Sequence, residues 1–230
     1  MYFNTFYNAE SSFYKAEKYI DEESSLSSEI SSKAEKLLDK TVKNCLIVIE
    51  KYPDSKWVDD AFFLLARSKF LKGEIISAKE KFSELIEKFP SSEYVDEANL
   101  WILFSDIHLL KFDDFDERIN EVKRKQLSNS NRFLLNKINA EYFKKNNNLD
   151  SCYFYYLNAL NYSDNHSQKI SVYSNLALIS SDNKNYARSI DFIDILEDLS
   201  KGNDRVELGI RNIEFYKKLN KFDQLILEIP

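Results

Sequence analysis

The sequence predicts an all-α fold, an α-solenoid of about five to six helical hairpins, and three observations carry that expectation. Only 3 Gly and 3 Pro occur among 230 residues, too few turn-formers for a β-sandwich or a many-stranded α/β sheet. Apolar residues recur at helical spacing through most of the chain. One stretch also repeats: Glu50-Lys-Tyr-Pro-Asp-Ser-Lys-Trp-Val-Asp-Asp-Ala61 returns 37 residues on as Glu87-Lys-Phe-Pro-Ser-Ser-Glu-Tyr-Val-Asp-Glu-Ala98, identical at seven of twelve positions. With 43% apolar residues, including 17 Phe and 14 Tyr, the chain can bury a continuous core over residues 1–230.

In chain order, 1–56 forms an N-terminal hairpin. Phe6, Phe13 and Ile20 recur every seven residues beside Ala9 and Ala16, which predicts a long helix. The stretch from Glu22 to Ser32 holds six Ser and reads as an enlarged turn. Ser32-Lys-Ala-Glu35 is a capping-box signature that opens a second helix to Tyr52. Residues 57–126 carry the clearest repeats. Tyr52-Pro53 and Phe89-Pro90 close units, because Pro cannot continue a helix and restricts the residue before it. Between them, Phe62, Leu65, Ala66 and Phe70 share a first helix face, Gly73 breaks the helix, and Ala78, Phe82, Leu85 and Ile86 share a second. The next unit is less regular, with Trp101, Leu103, Phe104, Ile107 and Leu110, then Phe115, Ile119 and Val122.

Residues 127–230 are degenerate repeats. From Arg132, Leu135, Ile138 and Tyr142 fit a first helix; with one extra residue in the Asn146-Asn-Asn148 turn, Cys152, Tyr156 and Ala159 fit a second. From Ile170, Tyr173, Leu176 and Ala177 lead to Tyr186, Ser189, Ile193 and Leu196. From Val206, Tyr216, Asn220, Phe222 and Leu225 begin a last unit that stops near Ile229, where Gly202 ends the preceding helix.

The same residues argue against several function classes. Gly73, Gly202 and Gly209 stand alone, so no glycine-rich loop wraps a phosphate. A formal charge of -6 repels nucleic acid and anionic lipid. Cys45 and Cys152 have no ligand-spaced neighbours and read as buried small hydrophobes. No apolar run is long enough to span a membrane, and no signal peptide opens the given chain. His108 and His166 lack a triad arrangement and are expected to be solvated or to line a groove. Asp113, Asp114, Asp116 and Glu117 lack the spacing of a calcium loop and read as a turn and helix start. Lys123-Arg-Lys125 reads as a solvated helix face, and Tyr153-Phe-Tyr-Tyr156 as partly core, since four consecutive helical residues point in all directions. The chain is thus expected to be non-enzymatic, with no cofactor and no metal.

What remains is an inner groove. First helices of successive hairpins line it, and positions not needed for helix packing can bind peptide. Counted from Asp59 as position 1, positions 5, 9 and 12 hold Phe63, Arg67 and Phe70, then Leu100, Phe104 and Ile107, then Asn136, Ala140 and Phe143. Phe63, Phe70 and Phe104 are candidate anchors and Arg67 a candidate partner for a carboxylate. Packing between repeats is the equal alternative for each.

The unit from Asp59 resembles the tetratricopeptide repeat, with Phe62, Leu65, Ala66, Gly73, Ala78, Phe82 and Pro90 at that family's positions 4, 7, 8, 15, 20, 24 and 32; Lys69 departs at position 11. Its junctions, and the opening Tyr2-Phe-Asn-Thr-Phe-Tyr-Asn-Ala9, are similar to those of BamD-like outer-membrane lipoproteins. That resemblance implies a right-handed superhelix at the periplasmic face of a bacterial outer membrane. It also implies a lipid anchor outside the given residues and envelope proteins, such as outer-membrane assembly components, as partners. The alternatives are a recruiting portion of a larger enzyme and a cytoplasmic adaptor.

Overall fold

A computed structural model describes residues 2–23 and 30–200, and among the described residues every element is a helix. These are α1 (Tyr2–Glu23), α2 (Ser32–Lys51), α3 (Val58–Leu71), α4 (Ile75–Lys88), α5 (Val95–His108), α6 (Phe115–Lys123), α7 (Asn129–Lys145), α8 (Leu149–Leu160), α9 (His166–Asp182) and α10 (Tyr186–Leu199). The unit expected from Val206, with Gly202 and Gly209, lies outside the described residues. Sequential helices pack as hairpins, α1 on α2, α3 on α4, α7 on α8 and α9 on α10. α2 begins one residue earlier in capping terms than the capping box suggested: Ser31, not Ser32, is the N-cap, and its Oγ accepts from the Ala34 amide.

The 37-residue spacing persists where sequence similarity does not. Apart from Asp114 (54°), which precedes α6, positive φ among the described residues occurs at Gly73 (78°), Leu110 (55°), Asn147 (55°) and Lys184 (59°), each 37 residues after the last. At each, the next amide reaches back five residues: Glu74 to the Lys69 carbonyl, Lys111 to Asp106, Asn148 to Phe143 and Asn185 to Ser180, at 2.8–2.9 Å. These are four Schellman closures of the first helix of a hairpin. Only the first uses glycine, the residue for which left-handed backbone is free of strain. A Cβ at Gly73 would meet nothing within 4 Å, so the cost of filling it is purely conformational. Gly73→Ala is therefore expected to lower stability by roughly 1 kcal/mol, and Leu110→Gly to raise it by roughly 0.5–1 kcal/mol, read as opposite shifts of the urea midpoint.

This spacing corrects the register of the fourth unit. With the left-handed residue at Asn147, the unit starts at Phe133, not Arg132, and no extra turn residue is present. Three consecutive asparagines, all able to adopt positive φ, hid which one turned the chain.

Second helices obey the same spacing. Phe82, Ile119, Tyr156 and Ile193 are buried at one equivalent position, and Leu85, Val122, Ala159 and Leu196 at another. The position where the two helices approach holds Ala78, Cys152 and Ser189, all 0% exposed; the Ser189 hydroxyl donates to the Ala177 carbonyl across that contact at 2.8 Å. Its third-unit equivalent is Phe115, too large for close approach. Instead Phe115 stacks on Tyr142 with centroids 4.1 Å apart, α6 is only 9 residues long, and α5 packs directly on α7. α6 is tied back through Asp106, 2% exposed on α5, whose carboxylate accepts from Lys79 of α4 and Arg118 of α6.

Two core clusters result. One runs from Phe6 to Ile138, the other from Phe133 to Leu196, and α7 contributes to both. α1 touches α3 and also α9.

Candidate functional site

The first helices of the hairpins converge. α1, α3, α5, α7 and α9 together line a cavity of about 380 Å³, with Glu17, Arg67, Glu97, Trp101, Leu134, Lys137, Gln168 and Ser171 among its walls. A second cavity of about 220 Å³ adjoins it, walled by α1, α3, the start of α5 and Ser130 of α7; Glu17, Arg67, Glu97 and Ser130 line both. A third space, of about 400 Å³, lies where α1 meets α9, between Tyr14 and Lys18 on one side and His166 and Ile170 on the other.

Arg67 is the centre of the arrangement. Its guanidinium pairs with Glu17 at 2.5 Å and Glu97 at 3.4 Å. It lies 4.4 Å from the Trp101 ring centroid, 5.4 Å from Phe13 and 5.9 Å from Phe63, within cation–π range of each. The Trp101 indole donates to Glu97 at 3.0 Å, which fixes the carboxylate that fixes the arginine. The Arg67 Nε is buried with no hydrogen-bond partner. Two carboxylates already hold this guanidinium, so the expected role of Arg67 as the pairing site for a partner's carboxylate is not what the geometry offers.

The other expected groove residues fall mostly into packing. Leu100 and Ile107 are 0% exposed, and Phe104 is buried with them. Phe70 packs edge-on against Trp101 and tilted against Phe104. Phe70 thus bridges α3 to α5 through Trp101 and Phe104, and Leu100 and Ile107 belong to the core. Phe63 is buried yet lines the smaller cavity, where it stacks on Tyr94 at 4.4 Å. In the fourth unit the corrected register moves positions 5, 9 and 12 from Asn136, Ala140 and Phe143 to Lys137, Glu141 and Lys144. Lys137 indeed lines the larger cavity, Ala140 is fully buried, and Phe143 stacks on Tyr155 in the second core cluster.

The residues that sequence reading missed have a simple signature. Asp60, Glu97, Leu134 and Ser171 are spaced by 37 and every one lines a cavity. They occupy position 2 of each unit; in α3 and α5 that position falls in the first helical turn, where acidic residues read most readily as dipole partners. Burial raises the Asp60 carboxyl above its usual value against the lowering effect of a hydrogen bond from the Tyr94 hydroxyl at 2.8 Å. Burial also raises the Tyr14 phenol, followed by the charges of Glu10 and Glu17.

Among the remaining groups, the two cysteines and the acidic turn sit as the sequence reading placed them. Cys45 and Cys152 are free, buried thiols, and burial pushes the Cys152 thiol up to about 12. Asp114 sits before α6 with Asp116 and Glu117 in its first turn. No group of three His, Cys, Asp or Glu is placed to hold a metal among the described residues. No described helix is long and apolar enough to cross a membrane. Within Tyr153-Phe-Tyr-Tyr156, Tyr156 is fully buried and Phe154 is exposed.

His108 packs edge-on against Phe70 and Phe104. The residue stays exposed to solvent, as expected, yet partial desolvation against these rings lowers its pKa, Glu141 raises it, and Lys145 and Lys137 lower it further. A base whose folded pKa lies below its unfolded value of about 6.5 binds fewer protons when folded, so stability falls as pH drops below that value. His108→Phe is expected to flatten the stability profile between about pH 7 and 5, measured by melts across that range.

Compared with known proteins, the chain matches no protein-family model, and no curated protein matches it.

Proposed function

We propose that the chain is a non-enzymatic protein-binding scaffold, a tetratricopeptide-like α-solenoid whose inner chamber receives a segment of a protein partner. The observation that carries this reading is the shared chamber. Five helices from five successive hairpins each present side chains to one space, and that space mixes aromatic walls with fixed charges, the combination that protein recognition favours. Envelope location, a lipid anchor and outer-membrane assembly partners belong to the same proposal. They are supported by the likeness of the Pro53 and Pro90 junctions and of the opening residues to BamD-like lipoproteins.

Selection from a random peptide display library tests it. Ser130 is exposed and lines both cavities, so Ser130→Trp fills the entrance without disturbing the core. Selected peptides are expected to bind this variant at least tenfold more weakly than the original chain, about 1.4 kcal/mol. Ile76, 63% exposed and lining none of these cavities, provides the control Ile76→Trp, expected to bind normally. Peptides indifferent to Ser130→Trp would contradict the chamber as the binding site.

A further inference from the structure

The two chambers differ in charge, and the difference specifies a ligand. The smaller cavity is faced by four carboxylates, Glu10, Glu17, Asp60 and Glu97, and by one guanidinium, Arg67. Arg67 is engaged by Glu17 and Glu97. Glu10 and Asp60 have no ion-pair partner among the described residues; Asp60 receives the Tyr94 hydroxyl instead. Aromatic rings complete the wall, among them Tyr14, Phe63 and Tyr94.

We propose that this smaller cavity is a receptor for one cationic side chain, lysine or arginine, carried by an extended segment of a protein partner. The inference rests on the scaffold reading above and names the chemistry its partner must bring. Arg67 shows the wall's preference from inside the molecule: a guanidinium within reach of the Phe13 and Phe63 rings and flanked by two carboxylates of the same wall. A space of about 220 Å³ takes a long side chain but not a helix, whose diameter is about 10–12 Å. The net charge of -6 steers a cation in the same direction. A carboxylate-bearing segment, by contrast, would meet an excess of like charge.

Burial without a counter-ion makes Asp60 costly in the free protein, since its carboxyl is pushed above its ordinary value chiefly by desolvation. An acid with a raised folded pKa contributes stability below its unfolded pKa, and that contribution is lost as pH rises through the folded value. At pH 7 the group is therefore a liability that a bound cation relieves. Asp60→Asn keeps an acceptor for Tyr94 and removes the charge, so it should melt higher at pH 7 while binding less well. A carboxylate serving only the fold would not show that opposition.

Four blocked pentapeptides, acetyl-Ser-Gly-X-Gly-Ser-amide with X as lysine, arginine, norleucine or glutamate, are the probes, titrated by NMR at low and moderate salt. Lysine and arginine forms are expected to bind at least tenfold more tightly than norleucine, and less tightly as salt rises. The double variant Glu10→Gln with Asp60→Asn is expected to erase that margin while its melting temperature does not fall. Equal binding of lysine and norleucine forms, no binding by any form, or a double variant that keeps the margin overturns the proposal. If display-selected peptides need an open chamber yet carry no cation, the scaffold reading stands and the cation receptor falls. If they ignore the chamber, the scaffold reading itself falls.

Discussion

Truncating Phe82 to alanine is expected to lower stability by about 3–5 kcal/mol, the range for removing a fully buried aromatic ring. Phe82 is 0% exposed. Its ring stacks on Trp101 with centroids 6.1 Å apart and meets Phe63 edge-on at 5.9 Å, so one side chain of α4 supports residues of α3 and α5 that wall the chamber. Neighbouring rings are rigid and cannot collapse into the space, which places the cost toward the upper end of that range. Urea unfolding followed by circular dichroism measures it. A loss below about 1.5 kcal/mol would mean that the site is open to solvent or repacks freely. The truncation should also move Trp101, and so shift its fluorescence maximum before any unfolding.

Replacing Asp106 with alanine is expected to cost about 2–3 kcal/mol and to act unevenly along the chain. This carboxylate, 2% exposed, is the common acceptor for Lys79 and Arg118. Removing one member of a buried ion network costs most when the abandoned charges stay buried. Here Lys79 and Arg118 are 32% and 37% exposed and can turn to water, which holds the loss below the maximum. α6 is the element that suffers, because Phe115 already keeps it from the close packing its equivalents enjoy. Hydrogen exchange should show α6 losing protection while α1 to α4 keep theirs. A uniform loss along the chain would mean that Asp106 serves the whole core and not the seat of α6.

Much of this architecture was legible in the sequence, and the reason is physical. Helical hairpins need apolar faces at fixed intervals, and Ala61 with Ala98, or Leu85 with Val122, write those intervals directly. Turns are written less reliably. Glycine announces a left-handed residue, but Leu110 and Lys184 adopt the same backbone without announcing it, because the Schellman hydrogen bonds and the packed helices around them outweigh a strain of about 1–2 kcal/mol. The repeat faded in sequence beyond residue 100 while the turn geometry kept its interval. At the Asn146-Asn-Asn148 turn, identical residues concealed a one-residue choice, and that slip moved Phe143 into a role that Lys144 holds in the corrected register.

The candidate site was less legible than the fold. Phe70, Phe104 and Arg67 have the composition of a recognition surface, yet the first two close the α3–α5 contact and the third is held by Glu17 and Glu97. Composition cannot separate an aromatic residue that waits for a partner from one that packs on its neighbour helix. Glu17 lies 50 residues from Arg67 in the chain, and no local pattern reveals a pairing at that distance. The acidic residues at position 2 were visible, but a helix N-terminus is where Asp and Glu belong for local reasons, so their second role emerges only when the helices are set side by side.

The central claim, that the first helices of the hairpins form one binding chamber, is tested most directly by hydrogen exchange with mass spectrometry, run with and without a display-selected peptide. Added protection is expected in α1, α3 and α5, with α2, α4 and α10 unchanged. Protection confined to α2, α4, α8 or α10 would contradict it.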